Sequence, residues 1–339
     1  MNVREPRVAV LLNANAKRVS RSTQDAIANV VPPVDIFLSR TEEDARHIAR
    51  TVLDRGYDTV FTGGGDGTFM GFLNEICDQV GPTGTPRFGI LRLGTGNAVA
   101  SVVGASSTRR GGMLDDLLRT RSGELRHSVE LDLVEADGLR CPFAGLGIDA
   151  HIINAYAQVK ARYRPLIGNL IEGGLGYALA VGGLTVPHYL TTRMPEIEVT
   201  NTGSTAFRLN QEGKPVGEAI EHGEVLYRGP CKIVAGGTVP NFGFDFRFFP
   251  FAGRRRGKMQ LRVFSGPTLG VVANLRKTFN GTYFPKGIAD FYCDSVHISC
   301  SEEMPMQVGG DPKGTRRELD LTMADRRVEM VSFREKLAA

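Results

Sequence analysis

A glycine-rich segment around residue 65 combines the residue types that can bind a polyphosphate. It reads TGGGDGT from Thr62 to Thr68 and follows a short apolar run that is typical of a buried strand. Glycines allow the backbone to approach a ligand and point consecutive N–H groups into one concavity. A carboxylate beside phosphates is repulsive unless a divalent cation lies between them, so Asp66 predicts Mg²⁺ with a nucleotide. The predicted nucleotide contacts are Gly64, Gly65, Asp66, Gly67 and Thr68, with Asp66 as the metal ligand.

A second glycine loop, LGTGN, occupies Leu93–Asn97 and also ends a strand-like segment. Adjacent parallel strands end at the same edge of a sheet, and ligands bind at that carboxyl edge. Two glycine loops at one edge can hold the two ends of one nucleotide. The predicted contacts in this loop are Gly94, Thr95, Gly96 and Asn97.

The segments that carry these loops alternate between strand and helix patterns, which indicates a parallel sheet with helices on its faces. The predicted strands are Arg7–Leu12, Val34–Ser39, Asp58–Thr62 and Arg87–Leu93, and the predicted helices are Ser22–Val31, Glu42–Arg55 and Phe69–Val80. The helical period is clearest in Glu42–Arg55, where apolar residues recur every three or four positions.

The pattern changes after about Leu125, where strand-like segments separated by turns predominate. Strands are predicted at Ser128–Ala136, Glu196–Thr200, Lys232–Ala235, Met259–Phe264 and Ser295–Cys300, and helices at Leu166–Thr185 and Leu269–Phe279. We therefore predict an α/β nucleotide-binding domain at 1–128 and a mostly antiparallel β domain at 129–325. The C-terminal tail, 326–339, is expected to be able to pack back on the first domain.

Several function classes are disfavoured by what the sequence contains. No GxxxxGK[ST] motif occurs, and the GxGxxA at Gly145–Ala150 lies in the β-rich half without a clear βαβ unit. The five cysteines form no CxxC pair, which disfavours a zinc site or a disulfide framework and favours reduced cytoplasmic thiols. A net charge of +4 without a basic stripe interleaved with aromatics predicts no nucleic-acid partner.

Together, GGGDGT, GILRLGTGN, ELDL and AGLGIDA resemble the diacylglycerol kinase catalytic family, which includes bacterial lipid kinases and the sphingosine and ceramide kinases. The resemblance extends over nearly the whole chain. It implies a phosphofructokinase-like N-terminal domain, a C-terminal β-sandwich that covers the lipid, and phosphate transfer from ATP to a lipid hydroxyl. The acceptor is left open among diacylglycerol, ceramide and sphingoid-type lipids.

The resemblance also implies roles for individual residues. Asn13 and Ser39 (or Thr41) would face the nucleotide after the first and second strands. Asp132, in ELDL, would belong to a catalytic carboxylate network near the metal. Asp149, in GIDA, matches a position that faces the lipid head group in sphingosine-type members.

The chain departs from the family near its C-terminus. The family's general base is the glutamate of a valine-aspartate-glycine-glutamate motif, and here the matching segment is Val308-Gly309-Gly310-Asp311. Asp311 therefore takes the place of the base with a shorter side chain, and a hairpin turn is an equally good interpretation of the segment. Where many members have paired aspartates for a structural metal, this chain has Arg254-Arg255-Arg256, which predicts a basic, membrane-facing loop instead.

The expected partners are a membrane lipid and an anionic membrane surface, contacted peripherally from the cytoplasmic side of the inner membrane. The most apolar stretch, Leu166–Leu190, contains Glu172 and many glycines, and we expect it to help form an acyl-chain groove rather than to span the bilayer. The oligomeric state is left open, with a homodimer among the options.

Two alternatives to lipid phosphorylation remain. One is an NAD kinase, because that family shares GGDGT and has a motif like Gly203–Phe207, which here lies between two strand-like segments as a hairpin turn would. The other is a nucleotide- or lipid-binding protein without turnover, suggested by Gly309 and the arginine cluster.

Overall fold

The computed structural model describes residues 6–80, 84–94, 98–108, 111–125, 127–147, 194–242 and 246–333. The chain divides into two compact units, Met1–Leu131 with Arg326–Ala339, and Asp132–Asp325. Three predicted features lie outside the described residues: Thr95–Asn97, Asp149 and the Leu166–Leu190 stretch.

The described residues of the first unit form a six-stranded sheet. Its strands are β1 (Val8–Asn13), β2 (Ile36–Ser39), β3 (Thr59–Gly64), β4 (Arg87–Arg92), β5 (Ser128–Leu131) and β18 (Val328–Val331). They lie in the order β2-β1-β3-β4-β18-β5. Strands β2, β1, β3 and β4 are parallel to one another, β18 is parallel to β4, and β5 is antiparallel to β18. The predicted α/β architecture with a mostly parallel sheet is confirmed.

The helices of this unit follow the strands as the periodicity predicts. They are α1 (Arg21–Ala28), α2 (Glu42–Asp54), α3 (Asp66–Gln79), α4 (Ala98–Val103) and α5 (Gly112–Arg121). Helix α2 begins with a capping box, because the Thr41 hydroxyl accepts from the Asp44 amide while the Asp44 carboxylate accepts from the Thr41 amide. Helix α3 begins at Asp66, three residues earlier than predicted, so the end of the glycine segment forms its first turn.

In its described residues, the second unit contains one twelve-stranded sheet, and the strand pairs of this sheet are antiparallel. Its strands are β6 (Val134–Ala136), β7 (Leu139–Cys141), β8 (Phe143–Gly147), β9 (Glu196–Asn201), β10 (Ala206–Leu209), β11 (Pro215–Ile220), β12 (Val225–Pro230), β13 (Ile233–Gly237), β14 (Met259–Phe264), β15 (Ile288–Cys293), β16 (Ser295–Val308) and β17 (Asp311–Met323). The sheet folds over itself, because a Cβ added at Gly236 of β13 would lie 2.5 Å from Leu321 of β17. The predicted antiparallel β architecture is confirmed.

Two predicted elements are each divided in the structure. The strand predicted at Ser128–Ala136 is two strands that belong to different sheets, because β5 pairs with β18 and β6 pairs with β17. The helix predicted at Leu269–Phe279 is two short helices, α6 (Thr268–Ala273) and α7 (Leu275–Phe279). In the described part of the chain, no helix is both long and apolar enough to cross a bilayer.

The interpretation of Gly203–Phe207 as a hairpin turn was wrong. The preceding strand β9 pairs with β12 and β16, whereas the following strand β10 pairs with β11 and β15, so the segment connects strands that are not partners. Its turn is held by tertiary contacts instead. The Ser204 hydroxyl donates to Asp294 at 2.6 Å, and the Lys258 ammonium donates to the Ser204 hydroxyl at 2.7 Å.

Candidate functional site

The carboxyl ends of four parallel strands meet at one edge of the first sheet. Asn13 is the register partner of Ser39, Leu12 pairs with Gly63, and Gly64 pairs with Arg92. This register brings the ends of β2, β1, β3 and β4 into line, as the sequence predicts for parallel strands. Ligands of open α/β sheets bind at such an edge.

The first glycine loop packs too tightly for a side chain at residue 64. A Cβ added there would lie 2.3 Å from the Thr68 hydroxyl oxygen, whereas real Cβ contacts closer than 3.0 Å essentially never occur. That hydroxyl in turn accepts a hydrogen bond from the side-chain amide of Asn13 at 2.9 Å. Three residues that the sequence places at the nucleotide site, Asn13, Gly64 and Thr68, therefore form one contact network.

The second glycine loop is joined to the first through its backbone. A Cβ added at Gly94 would lie 2.3 Å from the Gly65 nitrogen and 2.2 Å from its Cα, so only glycine allows these two loops to touch. After the loop, the Asp66 carboxylate accepts from the backbone amides of Ala98 and Val99 at 2.8 and 3.2 Å. The sequence predicted that both loops share an edge, and the structure brings them into direct contact.

Ser39 also lies at this edge, but its side chain has a local partner. Ser39 is buried, and its hydroxyl donates to the Thr41 carbonyl oxygen at 3.1 Å. Its own carbonyl oxygen accepts from the Ala14 amide at 2.9 Å, which ties the segment after β1 to the end of β2. Thr41 itself serves as the N-cap of α2, so its hydroxyl is engaged in the capping box.

Helix α3 points its N-terminus at the same edge, because it begins at Asp66 directly after β3. The first turn of a helix leaves amide groups without intrahelical partners and carries a partial positive charge, so it attracts anions.

The sequence analysis missed two arginine side chains near this edge of the sheet, those of Arg18 and Arg92. The exposed Arg18 donates to the carbonyl oxygen of Arg92, the last residue of β4, at 3.3 Å. Arg92 directly precedes the LGTGN loop, and this position in the sequence could have identified it as a residue near the phosphates.

The predicted metal ligand has a structural role that the sequence did not indicate. Both Asp66 carboxylate oxygens accept backbone amides. A carboxylate has about four lone-pair positions, so accepting two amides is compatible with binding a cation. Among the described residues, no group of three or more His, Cys, Asp or Glu side chains could hold a metal ion by itself. A single carboxylate fits Mg²⁺ only in the way usual for nucleotide sites, where substrate phosphates and water complete the coordination.

The sequence model of the diacylglycerol kinase catalytic domain matches residues 7–127, the part of the chain that contains both glycine loops. The predicted resemblance to the diacylglycerol kinase catalytic family is confirmed. This match makes the edge of the first sheet a candidate kinase site.

Solved structures agree with the fold of this family over the whole chain. A diacylglycerol kinase from Bacillus anthracis str. Sterne superposes with a TM-score of 0.62 at 16% identity, covering 97% of this chain and 98% of the other. A further structure from the same organism, whose description as a diacylglycerol kinase is provisional, gives a TM-score of 0.64 at 16% identity with the same coverage. Identity this low bears on the fold alone. No curated protein matches the sequence significantly.

Two further acidic residues suggested by the resemblance to diacylglycerol kinases, Asp132 and Asp311, belong to the second unit. The carboxylate of Asp132 accepts from the Gly257 amide at 3.3 Å, so it holds the loop that follows the arginine cluster. Asp311 is the first residue of β17 and pairs with Val308 across a two-residue turn. The structure thus places these residues in separate local contacts.

The turn before Asp311 explains one departure from the diacylglycerol kinase motif. Gly309 and Gly310 have φ values of 59° and 90°, the positive values that a two-residue hairpin turn requires at both positions. The family's aspartate-glycine pair suits such a turn as well, so Gly309 preserves the backbone path to Asp311. The segment is a hairpin turn, and its geometry is compatible with the proposed role of the residue that follows it.

The Asp311 carboxyl group has a shifted pKa although the residue as a whole is exposed. Neighbouring protein groups displace water from the carboxylate and raise its pKa above the ordinary value of 3.8, and Lys313 partly opposes this shift. A raised pKa makes a carboxylate a stronger base once it is ionised.

Gln307 is a residue that sequence reasoning missed. It is fully buried, and its side-chain oxygen accepts the Gly310 amide at 2.8 Å, while the Gly309 amide donates to Phe143 at 2.9 Å. Both amides of the turn are therefore fixed. Among the described residues, the side-chain nitrogen of Gln307 has no hydrogen-bond partner, which is costly for a buried donor. No local sequence pattern marks a glutamine in this role.

Proposed function

We propose that this protein is an ATP-dependent lipid kinase that transfers the γ-phosphate to a free hydroxyl of a membrane lipid of the diacylglycerol, ceramide or sphingoid type. The observation that supports this most strongly is the direct contact between the two glycine loops at the carboxyl edge of the first sheet, within residues 7–127 that match the catalytic domain of the family. Phosphoryl transfer depends mainly on positioning and electrostatic stabilisation, which rigid backbone loops provide.

In this proposal the nucleotide phosphates lie against the N-terminus of α3 and the two loops, near the side chains of Asn13 and Thr68. Mg²⁺, if bound with the nucleotide, would be held by Asp66 and would neutralise charge on the phosphates. Asp311 accepts the proton of the lipid hydroxyl, the hydroxyl oxygen forms a bond to the γ-phosphorus, and the bond to the β–γ bridging oxygen breaks to release ADP. Asp132 supports the carboxylate network, and Asp149 contacts the lipid head group.

The proposed lipid substrate implies where in the cell the protein would act. A lipid kinase of this kind would work on the cytoplasmic face of the inner membrane as a peripheral protein, and the anionic surface of that membrane would be its second partner. Whether it acts as a homodimer is a separate question that this proposal does not require.

A lipid panel with labelled ATP tests the function. Diacylglycerol, ceramide, a sphingoid base and phosphatidylglycerol are offered in mixed micelles with Mg²⁺, and NAD is offered in parallel as a soluble acceptor. We expect label in one lipid class and none in NADP. Label in NADP alone would establish the NAD kinase alternative, and tight ATP binding without any consumption would establish a binding protein without turnover.

A further inference from the structure

The segment from Phe246 to Ala289 in the second unit has an unusual charge composition. It contains nine of the 41 basic residues of the chain and none of its 37 acidic residues. Because the net charge of the whole chain is only +4, all residues outside this segment together carry a net charge of −5. The excess of positive over negative charge is therefore concentrated in this one segment. It creates a local positive potential that is larger than the net charge of the whole chain would suggest.

Arg262 and Lys258 pair with carboxylates inside the unit. Arg262 is buried and forms a two-pronged ion pair with Asp290, with nitrogen–oxygen distances of 2.7 and 2.8 Å. Lys258 forms an ion pair with Asp294 at 3.1 Å. The other seven residues are exposed to solvent; they are Arg247, Arg254, Arg255, Arg256, Arg276, Lys277 and Lys286.

Aromatic rings of the same segment connect in a continuous band. Phe251 stacks on Phe284 with ring centroids 5.8 Å apart, and the buried Arg262 lies 5.5 Å from the ring centroids of both Phe284 and Phe248. Phe246 continues the band, at 5.6 Å from Phe248 and 5.1 Å from Phe279. All of these rings except that of Phe251 belong to partly exposed residues.

Five of the exposed cations follow this band in contacts or in sequence, whereas Arg255 lies 4.6 Å from the ring centroid of Phe207 in β10. Arg254 covers the ring of Phe251 at 4.9 Å, while Arg247 donates its backbone amide to the Phe279 carbonyl oxygen at 2.9 Å. Arg276 and Lys277 share helix α7 with Phe279, and Lys286 follows Phe284 by two residues. Acidic residues outside the segment also lie near it. The Asp132 carboxylate accepts from the Gly257 amide at 3.3 Å, and Glu212, whose carboxylate pairs with Lys214 at 3.0 Å, accepts from Arg254 through its backbone oxygen. Exposed cations and partly exposed rings thus form one surface, which we call the basic aromatic surface.

We propose that the basic aromatic surface docks the second unit on an anionic phospholipid membrane. The proposal deepens the proposed function by naming the surface through which a lipid kinase would reach its substrate. Each cation near an anionic leaflet strengthens binding about fivefold, and phenylalanine rings of peripheral proteins bury at the boundary between lipid head groups and acyl chains. The seven cations have no acidic residue among them in the segment, so their charges add, and an anionic surface is the complementary partner.

The ring geometry favours a membrane over nucleic acid. Single-stranded nucleic acids bind through bases that stack on free aromatic faces. Here Phe251 and Phe284 stack on each other with an interplanar angle of 6°, and Arg254 covers Phe251. Partly exposed rings that pack on one another suit insertion among lipid head groups better than base stacking.

Vesicle binding by the full chain tests the proposal without nucleotide or substrate. The test variant is Arg276→Gln/Lys277→Gln/Lys286→Gln, and the matched control is Arg21→Gln/Arg50→Gln/Arg317→Gln, which removes three exposed cations elsewhere. Binding is measured by sedimentation with phosphatidylcholine vesicles and with vesicles that also contain phosphatidylglycerol. We expect the test variant to bind anionic vesicles at least tenfold more weakly than wild type, the control within threefold, and 0.5 M salt to remove the difference.

Equal losses in both triple variants would overturn the proposal, because net charge alone would then explain binding. Unchanged binding by the test variant, or tighter binding of wild type to a short DNA than to anionic vesicles, would overturn it too. If the test variant melts at a lower temperature than wild type, the three single variants are measured in its place. Each is expected to bind anionic vesicles about threefold to fivefold more weakly than wild type. Vesicle binding without lipid phosphorylation would leave this surface intact and refute the proposed function alone.

Discussion

Glycine serves two different purposes in the two candidate catalytic regions. In the first unit, Gly64 and Gly94 have ordinary backbone φ angles, but a Cβ at either position would clash with Thr68 or with the backbone of Gly65. In the second unit, Gly310 has a φ of 90° and open space around it. The first region is thus specified by close tertiary packing and the second by local backbone conformation. Replacing a glycine by a larger residue should therefore disturb the first region through steric clash, and the second region through a modest backbone strain.

The largest effect is expected from Asp66→Asn, at the point where both glycine loops meet. The change removes the charge that would organise Mg²⁺ and replaces one acceptor of the Ala98 and Val99 amides by a donor. We expect kcat for lipid phosphorylation to fall at least a hundredfold. Asp54→Asn, at the exposed end of α2, is the control and should retain activity. Activity of Asp66→Asn within tenfold of wild type would exclude the assigned role.

In the second region, Asp311→Asn should lower kcat by about a hundredfold with little change in KM for ATP, because it removes the proposed base and leaves the nucleotide loops intact. Asp311→Glu restores the residue that the family uses and should remain active. A rise in KM without loss of kcat would mean that Asp311 contributes to binding rather than to proton transfer.

The steric clash expected between residue 94 and the Gly65 backbone can be tested through the stability of the Gly94→Ala variant. The added methyl group has to displace the Gly65 backbone, and overpacking of this kind costs about 1–3 kcal/mol or more. Urea unfolding should show this loss together with weaker ATP binding. Gly71→Ala in the middle of α3 meets no atom within 4 Å and should stabilise the protein by about 0.5–1 kcal/mol. If both variants behaved alike, the packing account of the first region would be wrong.

The pH dependence of kcat sharpens the description of the second region. A base acts only when ionised, and the pKa of Asp311 is raised by desolvation, so activity should fall tenfold per pH unit below a value higher than the ordinary 3.8. Lys313 lowers this pKa, so Lys313→Gln should move the acid limb of the profile to higher pH. If the acid limb of the Lys313→Gln profile stayed in place or moved to lower pH, Asp311 would not be the base whose ionisation controls kcat.

The smallest effect is expected from Gly310→Ala, which places a Cβ at positive φ in open space. The strain should destabilise the protein by about 1–2 kcal/mol, and Gly310→Asn should cost less because asparagine tolerates this conformation. Thermal unfolding of the two variants checks the order. A loss as large as that of Gly94→Ala would show that the hairpin is also held by packing.

Local patterns predicted the elements and the loops but not the contacts that join them. The strand before Gly64 and the helix after it follow from hydrophobic periodicity and glycine placement, both of which act within a few residues. The bonds from Asp66 to Ala98 and Val99 span more than thirty positions, and their geometry depends on the strand register. The same is true of Gly203–Phe207, where two neighbouring strands looked like a hairpin but pair with distant partners.

The C-terminal strand β18 has a consequence for synthesis of the chain. It lies between β4 and β5 in the first sheet, yet it begins 197 residues after Leu131. At roughly 5–20 residues per second, a ribosome needs about 10–40 s to make the intervening residues. During that time β4 has been made but its neighbour β18 has not, so the nascent first unit presents an unpaired strand edge that can pair with other chains. The first domain to be translated is therefore the last to be completed, and we expect chaperones to be most important for it in that interval.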